Sequence, residues 1–217
     1  MKILTWNCRG LGSSRTVHEL TKLIRIFKPQ ILFLIETKRK NAEMDWLRVK
    51  WDYDNCMVVD SVGRAGGLAM LWNNQSQIEV LSYSKFHIDV KVNGELMDES
   101  WRFIGFYGHF QTHKRGETWD LLRALHDQMV LPWLCAGDFN EILSDNEKQG
   151  GASRPAKQIQ DFQDVVRECG FYEMQFSGSK FTWTRGTGEG LIAERLDRSF
   201  VNDDFRDRFP FSFEQHI

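Results

Sequence analysis

Hydrophobic and polar side chains alternate from Lys2 to Asn7, which predicts a strand ending at Asn7, with Gly10 and Gly12 as the turn that follows. Val17, Leu20, Leu23, Ile24 and Phe27 recur at three- and four-residue spacings, which predicts a helix capped by Ser13 or Ser14 and stopped by Pro29. Ile31 to Ile35 is apolar without a break, as in a strand covered on both faces, and Glu36 stands where that strand should finish. Asn41 is placed to cap a short helix carrying Met44 and Leu47.

The pattern then changes to strand-like segments, CMVV, GLAMLW, QIEVLSY, FHIDVKV and WRFIGFYG, which predict a run of antiparallel strands, the last ending at Tyr107. Gly66 with Gly67, and Asn93 with Gly94, punctuate this run as hairpin turns do, although 93–100 is longer than a tight turn. A stripe of Trp119, Leu122, Leu125 and Met129 predicts a core-facing helix over 116–129. Leu131 to Ala136, interrupted only by Pro132, predicts a short buried strand that Gly137 lets turn. If the chain is still extended there, Asp138 and Asn140 share one face at its carboxyl end.

A polar loop, SDNEKQGGASRP, leads into a helix opened by Pro155, with Ile159, Phe162, Val165 and Val166 inward and Gly170 closing it. KFTWTR and GLIAERLDRSFV are strand-like, and DDFRDRF is a short turn of helix with Asp203 as its cap. This order of elements predicts an α/β fold of two sheets packed face to face with helices outside, in one domain spanning 1–217.

The 217 residues suffice for such a core, and 41% hydrophobic with 27% charged residues excludes a disordered chain. No apolar run approaches the ~20 residues of a spanning helix, and no targeting signal stands out, so an intracellular protein without a membrane partner is expected. Cys8, Cys56, Cys135 and Cys169 are scattered without CxxC spacing, as reduced small hydrophobes rather than zinc ligands. A net charge of -2 gives no bulk attraction to a nucleic acid, so any such binding must rest on local patches.

Asn7, Glu36, Tyr107, Asp138 with Asn140, and Asp197 all fall at predicted strand ends. That inventory suits metal-assisted phosphodiester hydrolysis. Glu36 and Asn7 offer a hard cation carboxylate and amide oxygens, Asp138 can take a proton from water, Asn140 can orient it, and Tyr107 can donate to developing negative charge. Each has a plainer reading. Asp138 and Asn140 make a polar turn, Glu36 is a surface acid before the solvated run Lys38 to Lys40, Asn7 caps a turn, Tyr107 packs in the core, and Asp197 forms a surface ion pair with Arg195 or Arg198. Trp183 either stacks on a nucleotide or packs, and His109 and His113 are by default solvated loop residues.

WNCRG, LIETK, GFYG, AGDFN, FTWT and ERLDR occur in the order found in the endonuclease/exonuclease/phosphatase family, and the chain resembles that family over nearly its whole length. GGLAMLW, GDFNEIL, EKQGG and ERLDRSFV most resemble the endonuclease domain that opens plant LINE-type retrotransposon polyproteins. The resemblance implies a four-layer α/β sandwich that uses magnesium, or manganese, to nick DNA and expose the 3′ hydroxyl that primes reverse transcription. Such a nuclease would act on DNA in the nucleus. It further implies that Glu36 and Asn7 are metal-site residues, Asp138 and Asn140 the water-activating pair, Tyr107 a phosphate or leaving-group stabiliser, and Asp197 the partner that orients a histidine. The family's closing Ser-Asp-His motif does not occur before the chain ends at FSFEQHI, and His216 follows Gln215 rather than Asp. A C-terminally truncated sandwich is therefore expected. Its activity is impaired, or it is a degenerate remnant that only binds; a phosphatase with the same metal centre is the third possibility.

Overall fold

The computed structural model describes residues 1–63, 66–94 and 99–217, so the centre of the 93–100 connection and part of the turn before Leu68 lie outside the described residues. The chain divides into two compact units, Met1–Tyr107 and Gly108–Ile217.

In the first unit, β1 (Ile3–Asn7) pairs parallel with β2 (Ile31–Ile35), joined by α1 (Ser14–Phe27). Ser13 caps α1 by accepting from the Thr16 amide, and Lys28 ends it in a left-handed conformation just before Pro29. All five residues of β2 are buried, as an unbroken apolar run requires. After α2 (Asn41–Lys50), β3 (Asn55–Val59) and β4 (Leu68–Trp72) complete a sheet in the order β1-β2-β4-β3. Asn41 does not cap α2. Lys40 occupies the cap position, and the Glu43 carboxylate reaches back to the Lys40 amide at 3.0 Å, closing the turn from inside the helix.

The predicted run of antiparallel strands is divided between two sheets. After β4, the strands β5 (Gln77–Ser84), β6 (His87–Asn93) and β7 (Trp101–Tyr107) pair antiparallel with one another. The two sheets face each other through Phe33 of β2, whose ring meets Phe103 edge-on at 6.5 Å and lies over Gly105. A charged pair is sealed within the second set of strands: Arg102 donates to both carboxylate oxygens of Asp89, at 2.9 and 2.8 Å, each side chain about 1% exposed. Such a pair holds only when complete, because removing one partner strands the other charge.

The second unit contains α3 (Arg115–Gln128), β8 (Trp133–Asp138), β9 (Lys148–Gln149), α4 (Ala156–Glu168), β10 (Tyr172–Glu173), β11 (Phe176–Ser177), β12 (Trp183–Arg185), β13 (Ile192–Glu194), β14 (Asp197–Val201), α5 (Asp203–Arg208) and β15 (Glu214–Gln215). Within it, β8 pairs antiparallel with β14, and β14 with β10. Buried Phe139, Phe162, Phe171 and Phe200 pack ring against ring around this sheet, Phe171 stacked on Phe200 and the others tilted or edge-on. Trp119 of α3 stacks on Phe162 of α4 at 4.8 Å, which places the predicted helical stripe in this core; Met129 falls just beyond the helix, at its cap.

Three local expectations are corrected here. The segment 144–155 is not simply a polar loop: it includes a 3-10 turn, with Glu147 buried, and β9. GLIAERLDRSFV is two strands, not one, broken at Arg195 and Leu196. Asn202, not Asp203, caps α5, accepting from the Phe205 amide at 3.0 Å.

Gly105 tests the face-to-face packing. A Cβ there would lie 2.5–2.6 Å from three Phe33 ring atoms. Gly105→Ala is expected to lower stability by ~1–3 kcal/mol, as overpacking does. Urea unfolding reads this as a lower midpoint, and an unchanged midpoint would contradict the contact.

Candidate active site

Each unit holds one set of the predicted residues. In the first, β1 and β2 run parallel in register, so Asn7 and Ile35 are partners and Glu36 follows directly. Glu36 leaves the strand in a left-handed conformation, φ 55°, which costs a residue of this type energy and is kept only where surrounding bonds impose it. Those bonds are present. Thr37 donates to the Gly67 carbonyl and Lys38 to that of Gly66, both at 3.0 Å, while Thr37 accepts from the Leu11 amide at 3.0 Å. Gly67 is needed there, since a Cβ would lie 2.5 Å from the Thr37 hydroxyl.

The turn presents the Glu36 carboxylate to two donors: the Tyr107 hydroxyl gives a hydrogen bond to Oε1 at 2.9 Å and the Asn7 amide one to the same oxygen at 3.3 Å. The Lys38 ammonium lies 3.7 Å from Oε2 and also donates to the Arg9 carbonyl at 3.1 Å. The run Lys38 to Lys40 is thus more than a solvated face: Arg39 donates to the Leu11 carbonyl at 2.8 Å and pairs with Glu43. Sequence pattern alone does not pair Lys38 with Glu36, although ETK puts a cation two residues from the acid.

A hard divalent cation fits this donor set. Glu36 supplies an anionic oxygen; Asn7 Oδ1 accepts from the Arg9 amide at 3.2 Å and, having two lone pairs, can also meet a cation, which would displace the Lys38 ammonium from beside Oε2. Among the described residues no three His, Cys, Asp or Glu side chains gather to enclose a metal. One acid with an amide matches the way magnesium is held, by one or two carboxylates and retained waters. The thiols do not compete: desolvation pushes the buried Cys8 and Cys169 and the half-buried Cys56 up to about 12, so each is uncharged at neutral pH.

In the second unit, β8 runs on through Gly137 to Asp138, and the turn comes afterwards, at Phe139 and Asn140. Asn140 is left-handed, φ 55°, so the pleat of an extended strand does not bring it beside Asp138. The turn does so instead, with the Asn140 amide N–H donating to Asp138 Oδ1 at 2.8 Å. Asn140 Nδ2 donates to the Gly108 carbonyl at 2.9 Å, and the Gly108 amide donates to the Asp138 carbonyl at 2.7 Å. Gly108 has no room for a side chain, because a Cβ would lie 2.1 Å from the Phe139 carbonyl oxygen.

Asp197 stands directly across from Asp138 in the β8–β14 register. Two acids in that relation have their Cβ atoms about 5 Å apart on one face, an unfavourable pairing for purely structural purposes. Thr182 holds the position of Asp197, its hydroxyl accepting from the Leu196 and Asp197 amides at 3.0 Å each. The FTWT motif therefore contributes through its first Thr. Trp183 is half-buried against Ile142, Ile159 and Leu196. His216 is held by others: its Nδ1 lies 2.6 Å from the Ser179 carbonyl and its ring stacks on Phe176.

Arg195 and Arg198, expected as surface partners of Asp197, are buried and bound elsewhere. Arg198 donates to Glu147 at 2.7 Å and to Glu173 at 2.6 Å, and Arg195 lies 3.0 Å from Glu173. His109 is likewise buried, not solvated, its Nδ1 accepting from the Gln111 amide at 3.0 Å; His113 is exposed.

The chain belongs to the endonuclease/exonuclease/phosphatase family, whose sequence profile matches residues 4–215. A 3′ phosphatase, NExo, from Neisseria, solved bound to a product DNA hairpin, is similar at 18% identity with a TM-score of 0.74, over 94% of this chain and 87% of that one. An AP endonuclease from Archaeoglobus fulgidus matches at 17% identity with a TM-score of 0.73, over 93% and 86%. The endonuclease domain of TRAS1, a telomere-specific non-LTR retrotransposon, matches at 13% identity with a TM-score of 0.68, over 95% and 87%. These likenesses establish the fold, an α/β sandwich of two packed β-sheets flanked by helices, as the sequence resemblance implied. Comparison with curated protein sequences returns no match. Among the described residues no helix is long and apolar enough to cross a membrane.

The buried arginines yield a prediction about pH. Burial pushes the Glu147 carboxyl up, but bonds from Arg198 and the Leu143 amide outweigh it and hold the group below its ordinary 4.5. A lowered folded pKa adds stability that is complete above the unfolded value and is lost as pH falls through the folded one. Glu147→Gln is expected to cost ~3–5 kcal/mol at pH 7, with the deficit shrinking below about pH 4.5. Denaturant unfolding at several pH values checks this, and a deficit independent of pH would contradict it.

Proposed function

We propose that this chain is a magnesium-dependent DNA endonuclease of the LINE retrotransposon type, hydrolysing one phosphodiester to leave a 3′ hydroxyl. Manganese is the alternative cation, and the nucleus is the compartment in which such an activity is needed. The observation that carries the proposal is the Glu36 carboxylate, fixed by Tyr107 and Asn7 at the end of a wholly buried strand, in a family of nucleases and phosphatases.

Glu36 and Asn7 would hold the cation, which when bound supplies charge neutralisation at the phosphoryl oxygen. Asp138 takes the proton of the attacking water. Asn140, whose Nδ2 is committed to the Gly108 carbonyl, offers Oδ1 to orient that water. The new P–O bond forms as the bond from phosphorus to the 3′ oxygen breaks, and the leaving oxygen takes its proton from a solvent water to become the 3′ hydroxyl. Tyr107, a hydroxyl donor beside Glu36, stabilises the negative charge that develops on the phosphate or leaving oxygen. Asp197, fixed opposite Asp138, stands in the place from which the family pattern orients a histidine. Trp183, which is only half-buried, is the candidate for nucleotide contact.

The LINE assignment rests on GGLAMLW, EKQGG and ERLDRSFV and on the likeness to the TRAS1 domain. Likeness to a 3′ phosphatase favours a second reading, removal of a terminal phosphate by the same groups.

Supercoiled plasmid should be nicked with magnesium and left intact with chelator. Asp138→Ala is expected to lower the rate by ~10²–10⁴-fold, the range for loss of a general base. Magnesium-dependent nicking no greater than that of Asp138→Ala would remove the proposal and leave a binding remnant. Phosphate release from a 3′-phosphorylated oligonucleotide without nicking would replace it with the phosphatase.

A further inference from the structure

Between Tyr107 and α3 the chain carries an exposed aromatic side chain on a fixed support. Phe110 is 56% exposed; in the same unit Phe211 and Phe213 are exposed further, while four other phenylalanines pack inside the core. Its ring lies 5.2 Å from that of His109, at an angle of 26°. His109 is a rigid base for it: the residue is buried, its Nδ1 accepts from the Gln111 amide at 3.0 Å, and its amide donates to the Thr118 hydroxyl at 3.4 Å. Its carbonyl accepts from Arg115 Nε at 3.3 Å, and Arg115 is anchored in turn by a buried ion pair with Glu141. The backbone on both sides of Phe110 is therefore tied down.

Two features say what such a ring would meet. The loop begins at Gly108, whose carbonyl holds the Asn140 side chain and whose amide holds the Asp138 backbone. With ~3.8 Å between successive Cα atoms, Phe110 starts within about 8 Å of that glycine. The same loop then presents His113 and the Lys114 ammonium to solvent, three and four residues beyond the ring. An aromatic platform beside cationic groups is the composition that binds unstacked nucleotides, the ring taking the base and the cations the backbone. A rigid platform also loses little conformational entropy on binding.

We propose that Phe110 is a base-stacking contact, taking an unstacked nucleobase next to the phosphodiester that Asp138 and Asn140 address, and so favours locally open or single-stranded DNA over continuous duplex. The inference rests on the nuclease reading for the identity of the ligand, but its test does not require turnover.

The test uses the full chain, with calcium in place of magnesium, and oligonucleotides carrying 2-aminopurine either in a single strand, beside a two-nucleotide bulge, or within a perfect duplex. The unmodified protein should quench the fluorophore in the open substrates. Phe110→Ala and Phe110→Leu should lose that quenching and bind open DNA about 5- to 150-fold more weakly, the range for losing one base–aromatic stack, with duplex binding unchanged. Phe110→Trp should restore both. Melting curves that superimpose on the parent exclude a folding defect, and the leucine variant keeps apolar bulk should the alanine variant melt early. Equal affinity and equal quenching for Phe110→Leu and the parent would overturn the proposal, as would absence of quenching or of DNA binding by the parent. Asp138→Ala, run in parallel, separates the two readings. Retained stacking in a protein that never nicks would discard the nuclease and keep the platform. Nicking by a parent whose Phe110→Leu variant binds identically would do the reverse.

Discussion

The metal-dependent chemistry proposed for this chain depends on one constrained carboxylate. Glu36 follows five wholly buried residues of β2, adopts a backbone conformation it would not choose alone, and directs Oε1 at the hydroxyl of Tyr107 and the amide of Asn7. The flanking hydrogen bonds to Gly66, Gly67 and Leu11 hold the strained turn in place. An acid so fixed, with an ammonium 3.7 Å away, is a poor investment for stability alone, because ion pairs of this exposure contribute little. It is a good arrangement for receiving a cation in a set geometry, since the cost of ordering the ligand is met during folding.

The second unit repeats the device with different chemistry. A left-handed Asn140 brings its amide onto Asp138, and strand pairing sets Asp197 opposite Asp138. Like charges facing each other across a pair of strands are unfavourable, and the chain secures them with a buried network running the other way. Arg195 and Arg198 turn from Asp197 to Glu147 and Glu173, and Thr182 fixes the Asp197 backbone. The motif ERLDR thus divides its work: its arginines hold the strand to its surroundings, and its aspartate is left facing Asp138.

Patterning read well where burial dictates it. The continuous apolar run of β2, the helical stripes of α1, α3 and α4, and the strand ends at Asn7 and Tyr107 were legible because a 3.6- or 2-residue period leaves a direct mark on composition. What escaped was decided by partners distant in sequence. Asn41 and Asp203 have the composition of caps, yet Lys40 with Glu43 and Asn202 do that work. Arg195 and Arg198 look like surface charges until Glu147, some 50 residues earlier in the chain, is seen to meet them in the interior. Asp138 and Asn140 were rightly associated for the wrong geometric reason, since a turn with positive φ joins them and not an extended strand. The divided run of strands was missed because alternation reveals a strand's faces but not the sheet it enters.

The most direct measurement of whether the Glu36 carboxylate is a cation site is paramagnetic broadening of the protein's amide resonances by manganese, added at a small fraction of one equivalent. The account predicts that the amides around Asn7 and Glu36 fade first and that excess magnesium, or Glu36→Gln, restores them. Broadening centred on another part of the chain, or unchanged by Glu36→Gln, would contradict it.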